Sequence, residues 1–313
     1  MMKVWLVLPA VVLASAILSA QQPFYTSGVA LVHLGVSVVG DDGEFVADLT
    51  AEDFELYEDG QPQEIRYFSR GLESDSETMP MHLGLLFDTS ESMEQDARFA
   101  KTAAIKFLNT LTYASDITLV DFDTQVRVGR YAQNDFPRLI ERIRNRKSTG
   151  LTALYDALGV YLDGTFEQDG RKVLLLYSDG DDTRSRMPFD ETLDLVRASD
   201  VTVYAVGFQK NLRSSVRMKR RLRLEQLAEL TGGRCYFPNS ADELDGIYEQ
   251  IVHELNARYS IGYVSTNKRT DGTWREIGIK LASSRPELKR VKVRNRQGYF
   301  APYLEANDNV SEH

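Results

Sequence analysis

Three short segments of this chain collect hydroxyl and carboxylate groups at the borders of apolar runs. HLGLLF leads directly into Asp88-Thr89-Ser90-Glu91-Ser92. Ser148-Thr149-Gly150-Leu151-Thr152 precedes ALYDAL, and VLLLY leads into Ser178-Asp179-Gly180-Asp181-Asp182. The donors on offer are Asp88, Ser90, Ser92, Thr152 and Asp179, all of them hard oxygen groups. Such a set suits a small cation that keeps part of its water, Mg²⁺ first, with Mn²⁺ or Ca²⁺ as substitutes. Thr149 offers a second threonine hydroxyl in the same segment. Thr152 is preferred because it opens the helix expected there.

Other residues with chemical potential read as structural. The four histidines, His33, His82, His253 and His313, lie far apart, without ligand-spaced partners. Cys235 is the one cysteine, which excludes an intrachain disulfide framework and a cysteine-based zinc finger. In GGRCYF it reads as a packed strand residue. Asp121-Phe122-Asp123-Thr124 resembles a phosphatase nucleophile segment but ends a strand that enters a tight turn, where aspartate is an ordinary turn residue. The run 210–223 holds Lys210, Arg213, Arg217, Lys219, Arg220, Arg221 and Arg223 with no acid among them. It is either a solvated face or an anion-attracting patch, and Arg217, Arg220 and Arg221 are the candidates for meeting a partner.

The elements that must position these groups follow from periodicity. Buried-type strands are expected at 82–87, 117–122, 172–177 and 201–208. Helices are expected at 98–111, 136–144, 152–166, 189–198, 222–230 and 241–258. Strands alternating with helices imply a doubly wound, mostly parallel sheet covered on both faces. The segment 126–131 follows its neighbour too closely for a crossover and is expected as an antiparallel edge strand. In such a sheet ligands bind outside the carboxyl ends of the strands, where Asp88 and Asp179 fall. The basic run follows the strand VTVYAVGF and should begin on that same edge.

Before and after this region the pattern is short and alternating, at 24–72 and 259–301, with 73–80 as a linker and 302–313 as a polar tail. Neither flank is long enough to bury a comfortable core alone. Together they offer about seven strands, the number of an immunoglobulin-like sandwich, with the region 81–258 inserted between them. At the start, Lys3 precedes uncharged residues rich in Val, Leu and Ala, which end in Ser19-Ala20. Residues 1–20 therefore read as a signal peptide, short for a bilayer span, and an uncleaved anchor is the alternative. No cysteine ends the leader, so a lipoprotein anchor is not expected. The mature protein is expected to be exported, to the periplasm or the extracellular space.

Composition sets limits on function. The chain has 313 residues, 27% charged and 42% hydrophobic, and a net charge of −9. That balance is globular, and its sign makes the chain as a whole a poor partner for nucleic acid. Membrane contact is expected only if the leader stays attached.

DTSES, TALYDAL and SDGDD, in this order, resemble the metal-ion-dependent adhesion site of the von Willebrand factor type A domain, over roughly residues 80–258. The resemblance implies that Asp88, Ser90, Ser92, Thr152 and Asp179 hold the ion. It also implies that the ion's free position accepts a carboxylate from a partner protein, with no bond broken. The fourth motif position, often glycine in that family, is Glu91 here. VADLTAEDFELYEDGQPQEIRYF, YSIGY and RQGYFAP are similar to secreted bacterial von Willebrand factor A-related proteins. A non-enzymatic, adhesion-type binding module is the expected function. The alternatives are a metal-dependent hydrolase, and a structural envelope protein whose metal pins loops.

Overall fold

The computed structural model describes residues 31–41, 43–71, 80–110, 114–166, 168–210, 212–282 and 290–303. The expected leader, nearly all of the linker and most of the tail lie outside the described residues. The N-terminal flank carries β1 (Leu31–Val39), β2 (Phe54–Glu58), β3 (Gln61–Gln63) and β4 (Ile65–Arg70). The central region runs β5 (Met81–Asp88), α1 (Ala97–Thr110), β6 (Asp116–Phe122), β7 (Val126–Ala132), α2 (Phe136–Asn145), α3 (Leu154–Thr165), β8 (Arg171–Ser178), α4 (Phe189–Ala198), β9 (Thr202–Gly207), α5 (Ser214–Leu230), β10 (Cys235–Tyr236) and α6 (Ala241–Ala257). The C-terminal flank adds β11 (Tyr259–Val264), β12 (Trp274–Leu281), β13 (Lys292–Arg294) and β14 (Gly298–Phe300).

The central sheet has six strands in the order β10-β9-β8-β5-β6-β7. All neighbours are parallel except β6 and β7, so the antiparallel edge strand stands where the short connection puts it. Successive side chains of a strand face opposite sides, and both sides of this sheet are apolar. On one face Leu83, Leu85, Val173 and Leu175 pack against α1, α2 and α6 through Phe107, Leu139 and Tyr248. On the other, Leu86, Leu174, Leu176 and Val203 pack against α3, α4 and α5 through Leu158, Leu193 and Leu227. The α/β class and the parallel order are as the periodicity predicts.

Two differences from the expected elements have physical reasons. Helix α5 starts at Ser214 rather than near 222, so most of the basic run is helical. Its first half buries no apolar stripe, and Val216, Met218 and Leu222 are exposed. Arg, Lys, Met and Leu are good helix formers without one. Helix α3 starts at Leu154, so Thr152 lies in the loop just before it rather than in its first turn.

The flanks build two four-stranded antiparallel sheets, β13-β1-β11-β4 and β14-β12-β2-β3, each drawing strands from both ends of the chain. They share one core of Leu34, Val36, Phe54, Leu56, Tyr259, Ile261, Ile277 and Ile279. Among the described residues there are eight strands where about seven were expected. At the junction β4 and β11 pair at Arg70 and Tyr259, and the Gly71 N–H donates to the Arg258 carbonyl at 2.9 Å. The central region thus leaves the flanking sheets and returns to them at neighbouring points.

Candidate metal centre

The carboxyl ends of β5 and β8, adjacent in the sheet, deliver Asp88 and Asp179 side by side. Backbone hydrogen bonds stitch the surrounding loops together. Thr89 N donates to Phe122 O at 2.7 Å, Thr149 N to Thr89 O at 2.9 Å, and Glu91 N to Gly150 O at 3.0 Å. Thr183 N and Arg184 N both donate to Thr152 O at 2.9 Å. The Thr183 hydroxyl accepts from Thr152 N at 3.0 Å. Gly150 has φ +76°, and a Cβ there would meet the Thr124 hydroxyl at 2.5 Å, so a glycine is what lets this loop close on Glu91.

Asp88 is 2% exposed. Its Oδ1 accepts from Ser90 N at 3.0 Å and Ser90 Oγ at 2.6 Å, and its Oδ2 from Ser178 Oγ at 2.7 Å. Ser90 Oγ and Ser92 Oγ are 3.1 Å apart, and the Ser92 hydroxyl lies near enough to Asp179 to favour its ionised form. Asp88, Ser90, Ser92 and Asp179 are therefore one continuous cluster. Thr152 is buried in the loop before α3, while Thr149 in the same loop is exposed. Its hydroxyl has no hydrogen-bond partner among the described residues. Glu91 points to solvent and opens a single 3₁₀ turn, so the bulk that replaces glycine at this position does not enter the cluster.

The electrostatics of the cluster are those of two buried like charges. Burial first, then the negative charge of Asp179, pushes the Asp88 carboxyl up to about 7, against the hydrogen bonds from Ser90 and Ser178. Burial also raises Asp179, which the Arg220 charge holds back. A cation between the two carboxylates would remove the repulsion that raises Asp88. Among the described residues no three His, Cys, Asp or Glu side chains group as a metal site, so hydroxyls must complete this set. Two carboxylates with neutral hydroxyls fit Mg²⁺ or Mn²⁺, which retain waters.

Sequence reasoning passed over Ser178, which lies inside SDGDD and donates to Asp88, and it assigned Arg220 to an outward face. Arg220 instead spans Asp179 Oδ2 and Asp181 Oδ2, the latter at 2.5 Å. No local signal marks a contact between residues 41 positions apart. Arg217 caps its own loop through the Lys210 and Leu212 carbonyls. Arg221 lies 4.4 Å from the Phe237 ring centroid and pairs with Glu225. Both stay exposed. Asp121 is buried under Arg127, Arg142 and Arg146, and Asp123 caps Gln125 N at 2.8 Å, so this segment is turn and ion-pair structure. Cys235 lies in β10, where burial pushes its thiol up.

A doubly wound α/β domain with oxygen donors on its strand-end loops is the class this geometry defines. The family model of the von Willebrand factor type A domain matches residues 82–250, more than half of the chain, and the chain belongs to that family. No curated protein matches it. Solved structures similar to it include an aerotolerance-related membrane protein from Bacteroides fragilis NCTC 9343. That match has 12% identity over 56% of this chain and 98% of that one, with a TM-score of 0.45. A von Willebrand factor type A protein from Catenulispora acidiphila is similar over 92% of this chain and 77% of that one, at 12% identity and a TM-score of 0.48. The vWF domain of the type V pili tip protein Mfa5 from Porphyromonas gingivalis is similar over 56% and 95%, at 14% and 0.44. Among the described residues no helix is long and apolar enough to cross a membrane.

Proposed function

We propose that this chain is an exported protein-binding module of the adhesion type, in which Asp88, Ser90, Ser92, Thr152 and Asp179 form a metal-ion-dependent adhesion site. The observation that carries this reading is the buried pair Asp88 and Asp179 inside a collar of hydroxyls at the carboxyl edge of the sheet. Mg²⁺, or Mn²⁺ or Ca²⁺ in its place, would supply an oxygen-seeking open position toward solvent when bound. The two carboxylates provide the charge that holds it. Ser90, Ser92 and Thr152 add donors without charge, so the centre keeps a positive bias toward an Asp or Glu of a partner protein. Ser178 and the backbone of Ser90 fix Asp88 in place.

None of the three loops contains a histidine, which leaves a hydrolase without a positioned neutral base. The basic run contributes at longer range. Arg213, Arg217, Lys219 and Arg221 are exposed on the approach to α5 and along its first half, and steer an acidic partner on an otherwise negative protein. Export follows from the leader read at 1–20.

The test presents the immobilised protein to an extract of its native envelope. A protein retained with Mg²⁺, and lost both with EDTA and on Asp88→Ala, is the expected result. Retention that survives EDTA would contradict it.

A further inference from the structure

The site already contains a cation of its own. The Arg220 guanidinium donates one nitrogen to Asp179 Oδ2 and another to Asp181 Oδ2. Its side chain is only 15% exposed, so the pair with Asp179 is shielded from water. Asp179 Oδ1 accepts from Asp181 N at 2.9 Å. Both oxygens of Asp179 are thus engaged, and an ion at Asp179 competes with these donors for the carboxylate's charge and for the space beside it. Backbone geometry makes the bond to Oδ2 the one to yield. The Asp181 N–H bond belongs to the turn at Gly180, where φ is +84° and the space of a Cβ is filled by the Arg220 carbonyl at 2.9 Å. The helix backbone is therefore seated against the loop, while the guanidinium sits at the end of a flexible stem.

We propose that Arg220 is an internal competitor of the metal. Without the metal its guanidinium closes the centre by neutralising Asp179. Loading a divalent cation displaces it from Asp179, and it stays tethered to the more exposed Asp181. The inference rests on the metal reading above and adds an intramolecular threshold. The ion binds only the fraction of molecules in which Asp179 is free, so its apparent affinity is lowered by that fraction. A planar, permanently charged fork that meets two carboxylates at once is well suited to this, and a lysine is not. The cost of opening keeps the centre closed at low divalent cation and lets it open where the cation is abundant.

The test measures Mn²⁺ and Mg²⁺ binding to the full-length protein by calorimetry, and thermal melts in EDTA and in saturating Mg²⁺. Arg220→Ala is compared with wild type, with Arg220→Gln as a bulkier neutral variant should the first fold poorly. Arg221→Ala removes a nearby charge without touching Asp179. Losing Arg220 is expected to tighten metal binding by about tenfold or more. Arg221→Ala is expected to change it by less than about twofold. In EDTA the Arg220 variants should melt below wild type, because the buried Asp179 carboxylate loses its counter-charge, and saturating Mg²⁺ should close most of that gap. Equal affinity in wild type and the Arg220 variants, weaker binding without Arg220, or an undiminished gap in Mg²⁺ would each overturn the competitor and leave the metal site standing. No binding by any of the proteins would overturn the metal reading and the competitor with it. Binding by the variants alone would support both.

Discussion

The hydroxyl of Tyr263 donates to Glu58 Oε2 at 2.6 Å, joining residues 205 positions apart. Tyr299 donates to the same oxygen at 2.9 Å and Ser265 to Oε1 at 2.6 Å. Glu58 is buried. One carboxylate from the N-terminal flank therefore gathers three hydroxyls from the C-terminal flank, and the flanking sheets are held together by a polar knot beside their apolar core. Glu58→Ala strands those donors and is expected to cost about 2–4 kcal/mol in urea unfolding. A loss within experimental error would show that the knot contributes nothing.

The hydrogen bond from Gly71 to Arg258 brings the two ends of the central region together. The shared core of the flanking sheets contains no residue from that region. Replacing 72–257 by a short Gly/Ser linker is therefore expected to leave a chain that keeps its β-type circular dichroism and unfolds cooperatively. A chain without structure would show that the sheets need the central region.

Much of this was legible in residue patterns. The alternation of strands and helices, the edge strand β7 and the helix at Phe189–Ala198 follow from periodicity, because those elements bury apolar faces that recur at their own period. The start of α5 was not legible, since exposed cations carry no periodicity. Strand β10, two residues long, is too short to show an alternation. At the site, the motif segments mark Asp88 and Asp179, but the Ser178 bond to Asp88 and the Arg220 bridge depend on which strands and helices become neighbours. Only the fold decides that.

Glu254, on α6, is fully buried, with Arg234 Nε at 3.3 Å and the charge of Arg258 and the hydroxyls of Ser37 and Tyr204 around it. Burial is the largest influence and pushes its carboxyl above the ordinary glutamate value of 4.5. Below that value both folded and unfolded chains hold the proton. As pH rises past it, the unfolded chain releases the proton first, and stability is lost until the folded carboxyl also ionises. The stability of wild type minus that of Glu254→Gln should therefore fall as pH rises from about 4 and then level off. A difference that stays flat across denaturant unfolding at several pH values would contradict this.

Gly180 tests how the loop and α5 fit each other. Alanine there faces both a positive φ and the Arg220 carbonyl, and is expected to cost about 1–3 kcal/mol. Chemical unfolding of Gly180→Ala measures this, and full wild-type stability would show that the loop has room to move.

The most direct measurement of the central claim is a pair of thermal melts, with and without Mg²⁺, on wild type and Asp88→Ala. A ligand at a hundredfold excess over its Kd stabilises the folded state by about 2.7 kcal/mol, a rise in Tm of roughly 4 °C for a chain of this size. Wild type is expected to show that rise and Asp88→Ala none, with both proteins folded in EDTA. Equal rises in the two, or none in wild type, would contradict a metal held by Asp88.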